Sequence, residues 1–161
     1  MSAEIEAQVI SFLDSTPVEY EKVEIDPAFA DTAEFCEKYD FPLENSANTI
    51  IVASKKKPKT FTASVVRATQ RLDVNKTVKN LMDNGKVSFA RAEETIELTG
   101  MMIGGVTALA LPQELPVYVD PGLMKLDYII LGGGSRSLKI KVTPEIFNHM
   151  PTASVIEGLT G

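Results

Sequence analysis

Tryptophan is absent from this 161-residue chain, and cysteine and histidine occur once each, as Cys36 and His149. A single cysteine excludes an internal disulfide framework. One cysteine and one histidine are too few for a His/Cys metal site, and no paired-carboxylate motif marks a place for a hard cation, so neither metal nor cofactor is expected. There is no run of eighteen or more apolar residues, which argues against a membrane span. The acidic, amphipathic N-terminus lacks the basic and apolar regions of a signal peptide. Net positive charge is also missing. At −6 the chain is poorly suited to broad nucleic-acid binding, DNA included, which needs a basic face. The local exception is Lys55, Lys56, Lys57 and Lys59, a basic spot that suits either a few phosphate contacts or a solvated turn.

What is present is the material of a globular domain: 44% hydrophobic and 24% charged residues, in a chain long enough for one domain with a sizeable core. Ile5, Val9, Phe12 and Leu13 follow helical spacing and predict an amphipathic helix over 3–14. A strand follows over 18–25. Asp31 and Glu34 have capping-box spacing for a helix running to Tyr39, with Cys36 on its inner face as a structural thiol, since no base adjoins it. Residues 49–53 and 60–68 read as two strands joined by the lysine-rich turn. Asp73 is placed to cap a helix carrying Val74, Val78, Leu81 and Met82, stopped at Asn84-Gly85. A short strand over 86–90 and a short helix over 92–98 come next, followed by strands over 116–120 and 128–131. Leu138, Ile140 and Val142 alternate with Lys139 and Lys141, which predicts a half-exposed strand with the lysines on its solvent face. Pro144 opens a last helix containing His149, read as a surface or capping residue. Short strands interspersed with helices, without regular βαβ alternation, indicate an α+β fold with a mixed sheet and peripheral helices.

Two glycine-dense segments stand out: 99–109, Thr-Gly-Met-Met-Ile-Gly-Gly-Val-Thr-Ala-Leu, and 132–138, Gly-Gly-Gly-Ser-Arg-Ser-Leu. Glycine clusters mark places where the backbone approaches something closely or takes a positive φ. They suit either tight strand connections or backbone donors presented to a ligand. Neither fits G-x-G-x-x-G or the P-loop, because no Gly-Lys-Ser/Thr follows.

Four ordered segments carry a more specific signal: 48–53, Asn-Thr-Ile-Ile-Val-Ala; 98–108, Leu-Thr-Gly-Met-Met-Ile-Gly-Gly-Val-Thr-Ala; 115–120, Leu-Pro-Val-Tyr-Val-Asp; and 133–138, Gly-Gly-Ser-Arg-Ser-Leu. Together they resemble the YbaK/prolyl-tRNA synthetase editing-domain family over about residues 30–147. The resemblance implies a curved, barrel-like mixed sheet and one editing domain over 1–161, with 1–30 the weaker match. It also implies a free-standing deacylase that hydrolyses the 3′ ester of a mischarged aminoacyl-tRNA in the cytoplasm. The implied partner is the tRNA acceptor end, with transient association with a synthetase, no membrane and no DNA. The oligomeric state stays open. By the same resemblance Asn48, Gly104, Gly105, Thr107 and Ala108 occupy the catalytic positions, and Gly133, Gly134, Ser135 and Arg136 the second, substrate-binding loop. Thr107 is suited to bonding substrate or its own turn, and Arg136 to a phosphate, a substrate carboxylate or a local acid.

The family carries a lysine where this chain has Asn48 and a proline where it has Ala108. Asparagine supplies hydrogen bonds but no charge, and alanine leaves the loop without a fixed φ. Two functions are therefore expected from these residues: a deacylase with altered specificity, or a binding module for aminoacyl-tRNA ends, a nucleotide or a protein partner.

Overall fold

The computed structural model describes residues 2–82 and 85–161. Along them run α1 (Ser2–Asp14), β1 (Tyr20–Glu24), α2 (Thr32–Tyr39), β2 (Ala47–Ser54), β3 (Phe61–Arg67), α3 (Lys79–Met82), β4 (Val87–Phe89), α4 (Ala92–Thr99), β5 (Val117–Val119), β6 (Ile129–Gly132), β7 (Leu138–Val142) and β8 (Ala153–Val155). The strands form two sheets, β1-β7-β6 and β4-β2-β3-β5-β8. The smaller sheet and the β4-β2-β3 part of the larger are antiparallel, whereas β5 runs parallel to both β3 and β8. A parallel bridge between Ser46 and Ile130 joins the sheets. The α+β class and mixed strand directions are as expected, and the curved surface stays open rather than closing into a barrel.

Alternation along the strands explains the layers. Ile51, Val65, Val117 and Val119 from one sheet meet Ile129, Leu131, Leu138 and Ile140 from the other, and Val9 and Leu13 of α1 close this main core. Val52, Val66, Val74, Val78 and Val87 form a second layer on the outer face of the larger sheet. The third layer sets up the site. Here α2 lies on the outer face of the smaller sheet, with Phe35 and Cys36 packed against Ile25 and Ile130.

Several expectations are corrected by tertiary contacts. Asp31 occupies the N-cap position of α2, but its side chain makes no capping bond; Arg136 takes its carboxylate instead, at 3.1 Å. The turn after Asp73 is a π-helical one, Val74–Val78, followed by α3. The Asp73 carboxylate accepts from Thr77 rather than capping. Of the predicted Asn84-Gly85 stop, Asn84 lies outside the described residues. The last helix is of the 3-10 type, Pro144–His149. Strand β8, which carries no periodic signal, extends the larger sheet. The largest departure concerns Lys139, predicted to be exposed: it is 7% exposed, because α2 covers the face of β7 from which it projects.

Candidate functional site

The two sheets are joined at Ser46–Ile130 and splay apart beyond it, and a cleft of about 250 Å³ opens in the splay. Its floor is the start of β2, Ala47 to Ile50. Ile103, Gly104 and Val106 stand opposite, and Asp31, Thr32, Gly132 and Lys139 complete it. The volume falls just below the roughly 300–1,000 Å³ typical of small-molecule pockets, so it suits one small group of a larger ligand. A larger depression of about 530 Å³ beside Tyr20, Tyr128 and Lys141 contains none of the motif residues.

The polar character of the cleft arises from an interrupted strand edge. Ala68 N–H donates to the Ser46 carbonyl and Ser54 N–H to that of Thr60, so even-numbered residues of β2 bond toward β3. Ala90 N–H donates to the Ile51 carbonyl, which places odd-numbered residues at the β4 edge. Among the described residues β4 pairs with Val52 to Ser54, and the Ala90 bond extends this edge as far as Ile51. The backbone N–H and carbonyl of Thr49 therefore face an edge with no partner strand among the described residues, and such groups are strong, obligatory hydrogen-bonders. Thr49 Oγ1 is also buried without a partner among the described residues. The Asn48 side-chain oxygen accepts from Thr32 Oγ1 at 2.7 Å, which turns the amide so that its NH2 group remains as a donor.

The opposite wall is built by the two glycine segments packing on each other. Gly134 N–H donates to the Gly105 carbonyl at 3.1 Å. A Cβ on Gly105 would lie 2.7 Å from the Ser135 carbonyl carbon, and one on Gly132 would lie 2.6 Å from the Val106 oxygen. The glycines are thus required by backbone-to-backbone approach. Gly104 has φ +91°, and a Cβ there would meet the Arg136 guanidinium at 2.2 Å.

Arg136 fastens this wall. Its guanidinium donates to the Pro27 carbonyl at 3.0 and 3.2 Å, to the Ile103 carbonyl at 2.8 Å and to Asp31. Ser135 bonds Glu6 of α1 and accepts from Ser137 N–H. Asn48 and Gly104 therefore line the cleft directly, while Gly105, Gly133, Gly134, Ser135 and Arg136 stand in the layer behind. Thr107, fully buried, accepts from Leu109 N–H in its own turn. Ala108 is buried in the main core and borders a different depression. His149 lies outside the cleft lining.

Lys139 is the functional candidate that strand alternation conceals. Its ammonium donates to the Gly104 carbonyl at 3.2 Å and sits 5.6 Å from the centre of the Phe35 ring. Among the described residues no carboxylate oxygen comes within 4.0 Å of it. Burial pushes its pKa down from 10.5 to about 8; Asp31 and Cys36 oppose that fall and Arg136 adds to it. The sign of the linkage follows. Below about pH 8 the folded state carries a desolvated charge, and between about 8 and 10.5 it sheds a proton that the unfolded chain keeps, so stability rises with pH there. The shift corresponds to roughly 3 kcal/mol against the folded state at neutral pH. Lys139→Met keeps the stem and removes the charge. It is expected to raise unfolding stability at pH 7 by about 1–3 kcal/mol, the gain shrinking toward pH 10. Urea denaturation at both pH values checks this, and a loss of stability at pH 7 would contradict it.

The open α+β scaffold thus sets the start of β2 against a glycine-built wall, with Thr32, Asn48 and Lys139 among the polar residues of the cleft. The chain belongs to the aminoacyl-tRNA editing domain family, which matches residues 26–148. The fold agrees with solved structures. One, described as a proposed trans-editing enzyme for prolyl-tRNA synthetase, has 22% identity over 94% of each chain and a TM-score of 0.77. Another, a hypothetical protein, has 25% identity over 92% of this chain and 96% of that one, with a TM-score of 0.81. A scaffold protein used for epitope grafting has 19% identity over 94% of this chain and 95% of its own, with a TM-score of 0.77. Among the described residues no helix is long and apolar enough to cross a membrane.

Proposed function

We propose that this protein is a trans-acting deacylase that hydrolyses the ester between an amino acid and the 3′-terminal ribose of a mischarged tRNA. The observation that carries the reading is the open edge of β2 at Thr49, facing the Gly104 wall across a cleft of about 250 Å³. Water adds to the ester carbonyl, the carbonyl carbon–ribose oxygen bond breaks, and the ribose oxygen leaves with a proton, giving free amino acid and intact tRNA. Fixed donors aimed at the developing oxyanion stabilise the addition step. Here these are the Thr49 N–H and the Asn48 amide. The family resemblance implies that the neighbouring ribose hydroxyl of the substrate helps to activate the water, and in this cleft Asp31 is held by Arg136. Ile50, Ile103 and Val106 contact the amino-acid side chain, and selection at such apolar surfaces amounts to about 10–200-fold per methylene.

The test is a panel of mischarged tRNAs incubated with the protein, beside free aminoacyl esters. Turnover of one or a few aminoacyl-tRNAs above background is expected, with free esters far slower. Tight tRNA binding with every ester left intact would sink the deacylase reading in favour of a binding module, a role the uncharged Asn48 would suit. Equal turnover of free esters would instead indicate a tRNA-independent esterase.

A further inference from the structure

Among the described residues the charged side chains lining the cleft are Asp31 and Lys139. Asp31 is paired with Arg136, whereas Lys139 has only the Gly104 carbonyl as a hydrogen-bond acceptor among the described residues. An ammonium has three donors, so two remain. The cost of burying an unpaired cation is recovered only when an anion joins it. The ionisable groups acting on it are Asp31 at the start of α2, Cys36 within α2 and Arg136 in the loop before β7. Asn48, whose side-chain oxygen accepts from Thr32 Oγ1, lines the same cleft.

We propose that Lys139 is the anion-binding residue of this cleft and holds the 5′-phosphate of the ligand's terminal nucleotide. The nucleotide rests on the deacylase reading; the anion site itself does not. An amino acid esterified to tRNA has no free α-carboxylate, and its α-ammonium is repelled by Lys139. The phosphate of the terminal nucleotide is then the anion that every such ligand carries, whatever its amino acid. The chain thus supplies from β7 a positive charge that its β2 position, Asn48, lacks. Sequence alignment alone would miss the replacement, because the two residues lie on different strands.

The experiment follows the Lys139 ammonium by NMR in the full chain, with Lys139→Met to assign the signal, during titration with AMP and separately with adenosine. AMP should raise the midpoint of Lys139 titration, and adenosine should leave it in place. Wild-type affinity for AMP should fall between pH 7 and 9.5 as the ammonium loses its proton. Lys139→Met should bind AMP about tenfold more weakly and without that pH dependence. Lys139→Arg should retain the affinity and lose the pH dependence, which a merely structural lysine would not produce. On mischarged tRNA, Lys139→Met should raise KM, with Asn48→Lys in the same chain restoring part of the loss. If AMP leaves the Lys139 titration unmoved, or Lys139→Met binds AMP as tightly as wild type, the assignment is overturned, whatever the tRNA activity. If AMP shifts Lys139 while wild type hydrolyses no aminoacyl-tRNA, the anion site stands and the deacylase reading falls.

Discussion

Asp120→Ala is expected to lower unfolding stability by about 3 kcal/mol, the lower end of the range for breaking a buried ion pair. At 2–4 °C per kcal/mol for a chain of this size, that is roughly a 10 °C fall in Tm. Asp120 is 1% exposed and carries four hydrogen bonds. The Arg67 guanidinium grips both its oxygens, at 2.8 and 3.2 Å, and the backbone N–H groups of Arg67 and Gly122 add bonds of 3.1 and 2.9 Å. One carboxylate therefore closes the turn after β5 and ties it to the end of β3. Arg67 lies across from Ala47, the first residue of the cleft floor, so the pair also anchors the site. The lower end applies because the Arg67 side chain is 31% exposed and can regain water.

Burial alone would raise the Asp120 carboxyl, but the Arg67 side chain and the two backbone donors outweigh it and hold the pKa below 3.8. A depressed folded pKa means that the contribution is fully present above 3.8 and is lost as pH falls through the folded value. The stability gap between wild type and Asp120→Ala should thus be constant near neutrality and close in acid. Denaturant titrations at pH 7 and pH 3 measure both features. A loss below 1 kcal/mol at pH 7 would show that the pair contributes little.

Gly105→Ala is expected to have the largest effect on activity for the smallest chemical change. The added methyl would sit 2.7–3.0 Å from three backbone atoms of Ser135, and a backbone cannot swing aside as a flexible side chain can. The loops must separate, at about 1–3 kcal/mol for overpacking. Separation moves Gly104, Val106 and Gly132 away from the β2 edge, and a displacement of about 1 Å in a positioned site costs on the order of 10²-fold in rate. Deacylation should therefore fall about a hundredfold while the protein remains folded. Gly161→Ala is the control, since its nearest neighbour would be an ordinary 3.6 Å contact with Asp73. Activity within twofold of wild type for Gly105→Ala would show that the interlock does not shape the cleft.

Much of the framework was legible in the residues. The 3.6-residue spacing of Ile5, Val9 and Phe12 marked α1, and alternation in β7 placed Leu138 and Ile140 in the core. Gly100 ends α4 with φ 75°, as its position after the periodic run implied. The Asp31 cap failed because capping spacing is a local signal, and Arg136, more than a hundred residues away in sequence, competes for the same carboxylate. Within the site, the two glycine segments were legible as a pair, but their reason was not. The spacing does not reveal that Gly105 and Gly132 are glycines because one loop leans on the other.

By itself, the sequence determined the order of the elements up to β7, the core-facing half of β7 and the resemblance to the editing-domain family. These follow from local periodicity and ordered motifs. Only the tertiary structure decided which residues work together. Alternation says that Lys139 projects from the opposite face of β7 to Ile140, but not whether water or protein covers that face. Packing of α2 onto the smaller sheet settles this in favour of protein. The same long-range packing leaves Thr49 at an unpaired edge and brings a buried ammonium into the cleft. A charge expected in solvent thereby becomes, among the described residues, an unpaired cation of the cleft.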